Sequence, residues 1–340
     1  MSESRGRALL LVVSLLAGLV FAEIVLRLFV EQETKRLAAF DRDLGWTGRP
    51  NGEGWYVRRS DGIREYFVYN ELGFRDEKLK ETDSPRVLFL GDSFQEGLEV
   101  PYTETFHEQV EQRLKEEQGH DVDVVSVASQ GYSTAQQLRA YRKFSARIKP
   151  DMVVLMFYTG NDLTDNLRHE FAYLDNEGRL VIPDRSFSWF QERRLEFVRW
   201  VYESSHLVFL LKNTAENVTR IRFADESKKV TRVSDAHKVA ITDSLIALLY
   251  ETVREDGKMF AVVVIPSARE IAAGKRGNAD QITGFCRGRR IPVVDLSPFL
   301  SRGEYFLYDE HLNGRGHRVV ADTLIPFLMH HLVSEDSAGT

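Results

Sequence analysis

Four short segments of the 340-residue sequence place polar residues at the ends of apolar runs, where a side chain can be held rigidly and still meet a ligand. In "RVLFLGDSFQEG", 86 to 97, four apolar residues lead into Gly91-Asp92-Ser93. A serine there can present its hydroxyl as a nucleophile, although small polar residues also end strands as plain turns. The G-x-S-x-G elbow is absent because Gln95 stands two after Ser93, and no dinucleotide or phosphate-binding glycine loop is present. In "SQGYSTAQQL", Ser133 and Gln136 match a capping box, so a helix is expected from about Thr134, with Gly131 beside its free N–H groups. A glycine N–H, unshielded by a Cβ, can approach an oxyanion closely; an ordinary strand-to-helix turn explains the same residues. In "MVVLMFYTGNDLTDN", Asn161 offers an uncharged amide donor for a developing oxyanion, though Asn and Asp are also common turn residues. In "YDEHLNGRGHRVVADTL", His311 precedes a helix that Asn313 can cap. Asp309 lies two residues before it, and in an extended segment such residues share a side about 6.6 Å apart, within reach of the imidazole. His317 is the rival, expected to begin the packed face of that helix.

The elements that must position these residues alternate. Apolar runs at 86–90, 122–127, 152–158, 259–265 and 291–296 read as strands covered on both faces. Helical patterns fall at about 103–117, 134–148, 234–255, 277–287 and 314–333. Alternating βα units imply an α/β fold with a doubly wound, mostly parallel five-stranded sheet, whose sites lie at the carboxyl ends of the strands. Two regions interrupt the pattern. Residues 31–85, rich in Gly, Asp and aromatics, read as a structural extension, and 166–233 as a helical insertion in the domain 86–340. The insertion's Phe190, Phe197, Val201, Leu207 and Leu211 suit helix packing; a lid or a membrane-facing element is the other reading.

With 43% hydrophobic residues the chain can bury a full core. Lysine and arginine number 45 against 51 acidic residues, interspersed, so no basic face points to nucleic acid. The single cysteine, Cys286, excludes an internal disulfide framework and a cysteine-rich zinc site, and nothing calls for a metal or other cofactor. Residues 1–30 read as a membrane anchor or a signal segment. Arg5 and Arg7 precede an apolar stretch, and Ala8 to Val30 as a helix would span roughly 34 Å. Glu23 and Arg27, four apart, can pair near one interface. The basic residues before the run favour an inside N-terminus, which would place the rest on the periplasmic side of an inner membrane; cleavage near Ala22 would instead release it.

Ser, Gly, Asn and His in this order, each at a rim position of one sheet, resemble the SGNH subgroup of the GDSL hydrolases. The blocks are Gly91-Asp92-Ser93, Gly131, Gly160-Asn161-Asp162, and Asp309 with His311, within 86–333. "NELGFRD", 70 to 76, and the N-terminal segment are similar to those of membrane-tethered bacterial members. The family's last block usually has aspartate three residues before the histidine, and Tyr308 occupies that position here, which leaves Asp295 as a second candidate acid. The resemblance implies a flavodoxin-like fold and acyl transfer through an acyl-serine on Ser93. His311 would be the base and Asp309 its orienting acid, with the Ser93 N–H, the Gly131 N–H and the Asn161 amide forming the oxyanion hole. It implies an ester substrate, such as an O-acyl group of an envelope glycan or lipid. An O-acyltransferase using the same serine, and a non-catalytic envelope scaffold that keeps the fold, are the alternatives.

Overall fold

The structure is a computed structural model that describes residues 2–30, 38–223 and 234–332. Residue 1, the start of the expected extension (31–37), the end of the expected insertion (224–233) and the tail from 333 lie outside the described residues.

A long helix, α1 (Ser2–Phe29), opens the chain. Two antiparallel hairpins follow, β1 (Ala38–Asp41) with β2 (Gly45–Gly48) and β3 (Glu53–Arg58) with β4 (Ile63–Val68). The alternating units then begin: β5 (Arg86–Gly91), α2 (Ser93–Glu96), α3 (Phe106–Glu116), β6 (Asp123–Ala128), α4 (Thr134–Ile148), β7 (Met152–Tyr158) and α5 (Asp162–Asp165). A short hairpin, β8 (Tyr173–Leu174) with β9 (Leu180–Val181), leads to α6 (Trp189–Ser204) and α7 (His206–Phe223). The last units are α8 (Asp235–Glu255), β10 (Met259–Ile265), α9 (Ala268–Ala272), α10 (Gly277–Gly288), β11 (Val293–Asp295) and α11 (Gly314–Leu332).

These elements divide into two compact units. Of the described residues, one holds 2–30 and 187–223, the other 38–186 and 234–332. The second is the α/β unit. Its sheet has the order β11-β10-β7-β5-β6, all parallel, which in chain order is the 2-1-3-4-5 arrangement of flavodoxin-like folds. Strand residues alternate between two cores. Leu88, Leu90, Val153, Leu155, Val262 and Val264 pack with α4, α8 and α10 on one face. Val87, Phe89, Val154, Met156, Val263 and Ile265 pack with α3 and α11 on the other. Both faces of the sheet are buried, which is why these strands read as continuous apolar runs.

Among the described residues the first unit is three helices, α1, α6 and α7. Along α6 no side chain is buried, and Phe190, Phe197 and Leu211 stand exposed, so the core packing expected of the insertion's apolar residues does not occur for these three. A hairpin of two helices has no second layer to bury its outer face.

Candidate active site

Ser93 sits two residues past β5, at the start of a four-residue helix. Asp92 caps that helix by accepting from the Phe94 N–H at 2.9 Å, and Gly97, at φ +60°, ends it. The turn is therefore tight, and from Arg86 to Val100 every residue is buried except Ser93. Gly131 repeats this on the neighbouring strand. Ala128 of β6 lies opposite Gly91 of β5, and between residues 122 and 138 only Gly131 is partly exposed. Its φ of +73° is the left-handed conformation in which a side chain is strained, although a Cβ would meet nothing closer than 3.8 Å. Its carbonyl accepts from Arg168. Among the described residues, neither the Ser93 N–H nor the Gly131 N–H donates to a protein acceptor.

Asn161 follows β7 on the other side of β5. Its Nδ2 donates to Asp92 Oδ2 at 3.1 Å and Asp165 Oδ2 at 2.8 Å, so the amide read as an oxyanion donor is held between two carboxylates. Burial pushes the carboxyls of Asp92, Asp162 and Asp165 up; Asp92 adds to the rise at Asp162. The capping box at Ser133 and Gln136 forms as read.

His311 completes the cluster from the far end of the chain. Its Nε2 lies 2.7 Å from Ser93 Oγ and its Nδ1 3.0 Å from Asp309 Oδ2. The ring packs on Phe94 with centroids 4.6 Å apart, and Phe94 in turn stacks on Tyr158. The loop is fastened on both sides. The Phe306 N–H donates to the His311 carbonyl at 2.8 Å, and the Asn313 side chain caps α11 by accepting from the Arg315 and Gly316 N–H groups. One expectation fails locally: the segment is not extended at its centre. Glu310 has φ +64°, a left-handed turn that a non-glycine residue adopts only when its surroundings enforce it. The aspartate reaches the imidazole across that turn instead of along one side of a strand.

Two residues that motif reading did not single out complete the electrostatics. Arg58 of β3 pairs with Asp309 Oδ1, and Glu99 Oε1 lies 3.7 Å from His311 Nδ1. Both carboxylates are 1% exposed, whereas His311 keeps 18% of its side chain in solvent. Burial opposes charge on His311, but Glu99, Asp309 and Asp92 outweigh it and push the imidazole up to about 9. Tyr56, also from β3, has its phenol pushed up by burial and by Glu99 and Asp309. Glu99, Asp309 and His311 bring three potential ligand atoms within 4.8 Å of one another; the Arg58 guanidinium already supplies the positive charge at Asp309.

"NELGFRD" acts beneath the site. Asn70 Oδ1 accepts from the Leu72 and Phe74 N–H groups, folding the segment on itself. Arg75, 1% exposed, donates to the carbonyls of Gly97 and Val100 and so fastens the loop that carries Glu99. The extension thus contributes residues to the site as well as packing. No sequence spacing marks Arg58 or Glu99, because they meet Asp309 and His311 only through the fold.

The rival candidates are committed elsewhere. Asp295, at the end of β11, pairs with Arg276 and accepts from the Ser297 N–H. His317 is buried against Phe106, accepts from the Phe106 N–H at 3.2 Å, and is pushed down to about 3 by burial and by Arg75 and His311. Tyr308 turns its side chain to solvent while its N–H donates to Asp61.

The profile of the GDSL-like lipase/acylhydrolase family matches residues 89–319, about two thirds of the chain. No curated protein matches the sequence. Among solved structures, the chain is similar to a psychrotrophic esterase from Pseudoalteromonas sp., at 11% identity over 73% of this chain and 99% of that one, with a TM-score of 0.44. It is also similar to a family 3 carbohydrate esterase from Clostridium thermocellum, at 13% identity, coverage of 74% and 98%, and a TM-score of 0.44. A lipase/acylhydrolase from Enterococcus faecalis matches at 13% identity, coverage of 73% and 96%, and a TM-score of 0.41.

Proposed function

The chain belongs to the GDSL-like lipase/acylhydrolase family, and on that premise we propose that it is a membrane-anchored serine esterase that removes acyl groups from an envelope glycan or lipid through an acyl-Ser93 intermediate. The observation that carries the reading is the continuous contact from Ser93 Oγ to His311 Nε2 at 2.7 Å and from His311 Nδ1 to Asp309 Oδ2 at 3.0 Å.

In the reaction, His311 Nε2 takes the Ser93 proton as Oγ attacks the ester carbonyl. The oxyanion meets the Ser93 and Gly131 N–H groups, which have no competing acceptor among the described residues. It competes with Asp92 and Asp165 for the Asn161 amide, so that donor engages as negative charge develops and favours the transition state over bound ester. The imidazolium then protonates the leaving alkoxide. Water attacks the acyl-serine, giving up its proton to His311, and the carboxylic acid departs as Ser93 is restored. Asp309, locked by Arg58, holds the ring so that Nε2 faces the serine. The chain past α1 lies outside the cytoplasm in this reading, supported by Arg5 and Arg7 at the start of the 25-residue apolar span Arg5–Phe29.

The test is Ser93→Ala assayed on a chromogenic acetyl ester. Hydrolysis should vanish while circular dichroism is unchanged, and a variant that retains wild-type turnover would remove Ser93 from the reaction.

A further inference from the structure

Helix α6 leaves four of its aromatic side chains uncovered. Trp189, Phe190, Phe197 and Trp200 are 61%, 78%, 61% and 61% exposed, and among the described residues their ring–ring contacts are Trp189 with Phe190 and Phe197 with Trp200. Arg193 lies 5.8 Å over the Trp189 ring and pairs with Glu196, so α6 interleaves aromatics with charges. Exposed apolar surface on this scale is rare in water, while aromatics mixed with long charged side chains are the composition of a helix lying at a membrane interface.

The turn between α6 and α7 supplies an independent observation. Glu23, inside the apolar run of α1, accepts from Ser205 Oγ at 2.8 Å, from the His206 and Leu207 N–H groups at 2.9 Å each, and from Arg27 at 2.7 Å. Arg27 also donates to the Ser204 carbonyl at 2.6 Å. An ionised carboxylate in an apolar medium is costly without partners, and a helix start leaves N–H groups unsatisfied. Each element therefore satisfies the other's polar groups. Glu23 stands six residues before Phe29, about 9 Å along the helix from its end, which sets this turn below the outer edge of the bilayer. Beside the turn, Leu19, Val20, Ile24, Val201, Val208 and Leu211 line the mostly apolar wall of an open groove of about 680 Å³, whose polar lining comes from Glu23, Arg27 and the turn serines.

We propose that α6 and α7 form a second membrane-embedded element, packed on α1, whose occupant is bilayer phospholipid: acyl chains in the groove and the α6 aromatics at the headgroup boundary. The inference rests on the anchor reading of α1. Continuity with that helix argues for lipid as the occupant.

The experiment reconstitutes the full chain into phosphatidylcholine vesicles with plain or dibrominated acyl chains and compares its tryptophan emission with that of a W189F/W200F variant, ester hydrolysis serving as the folding check. We expect bromine to quench about a third or more of the wild-type emission and under about a tenth in the variant. Vesicle-bound chain with equal quenching in both proteins, or none in either, overturns the hairpin proposal alone. The latter outcome includes coverage of α6 by a second copy or another protein. Failure of the wild-type chain to float with vesicles overturns the anchor reading, and the hairpin proposal with it.

Discussion

The loop that carries His311 and the first turn of α11, which carries His317, lie six residues apart, and their two imidazoles behave in opposite ways. His311 is pushed up to about 9 and His317 down to about 3. Burial lowers both, so their neighbours decide the outcome. Glu99, Asp309 and Asp92 surround His311, whereas His317 faces Phe106, the Arg75 charge and His311 itself. A histidine's chemical role thus follows from which elements the fold brings against it.

The largest effect expected from this contrast is a split between two like substitutions. His311→Gln should lower kcat on an acetyl ester by about 10⁴-fold or more, whereas His317→Gln should leave kcat little changed and lower the melting temperature. Equal losses of kcat would break the comparison. A smaller effect concerns pH. With His311 titrating near 9, about one molecule in a hundred has a neutral base at pH 7, so kcat/KM should climb roughly tenfold per pH unit toward pH 9. Glu99→Gln removes the leading cause of that elevation and should move the limb about one pH unit lower. An unmoved limb would assign the elevation to the aspartates. The smallest effect is on stability. The raised pKa of His311 contributes stability that is complete below about 6.5 and lost as pH rises through about 9, whereas the lowered pKa of His317 costs stability as pH falls from about 6.5 toward 3. Melting curves across pH should therefore flatten on the alkaline side in His311→Gln and on the acid side in His317→Gln.

Much of the sheet was legible because a strand buried on both faces must be apolar throughout: Met152–Tyr158 and Met259–Ile265 have the bounds that their sequences predict. The run 291–296 reads as a longer strand than Val293–Asp295, since β11 is an edge with a single partner. In the site, Ser93, Gly131 and His311 are marked by their places at element ends. The carboxylates around Asn161 stood in plain view as Asp92 and Asp165, but their direction did not. Arg58 and Glu99 left no signal, because their contacts with Asp309 and His311, each more than about 200 residues later, are a property of the fold. The left-handed Glu310 was hidden as well, since a glutamate carries no expectation of positive φ.

Arg75 has a consequence for where an autonomous enzyme can begin. The family profile starts at residue 89, yet the guanidinium that holds the Gly97 and Val100 carbonyls comes from fourteen positions earlier, and the partner of Asp309 from earlier still. A fragment trimmed to the profile would keep every motif residue while leaving two inward-facing carbonyls and a buried acid without their cations. The inherited core of this enzyme is not a transplantable module, and grafting it onto another scaffold means carrying the stretch from Ala38 along with it.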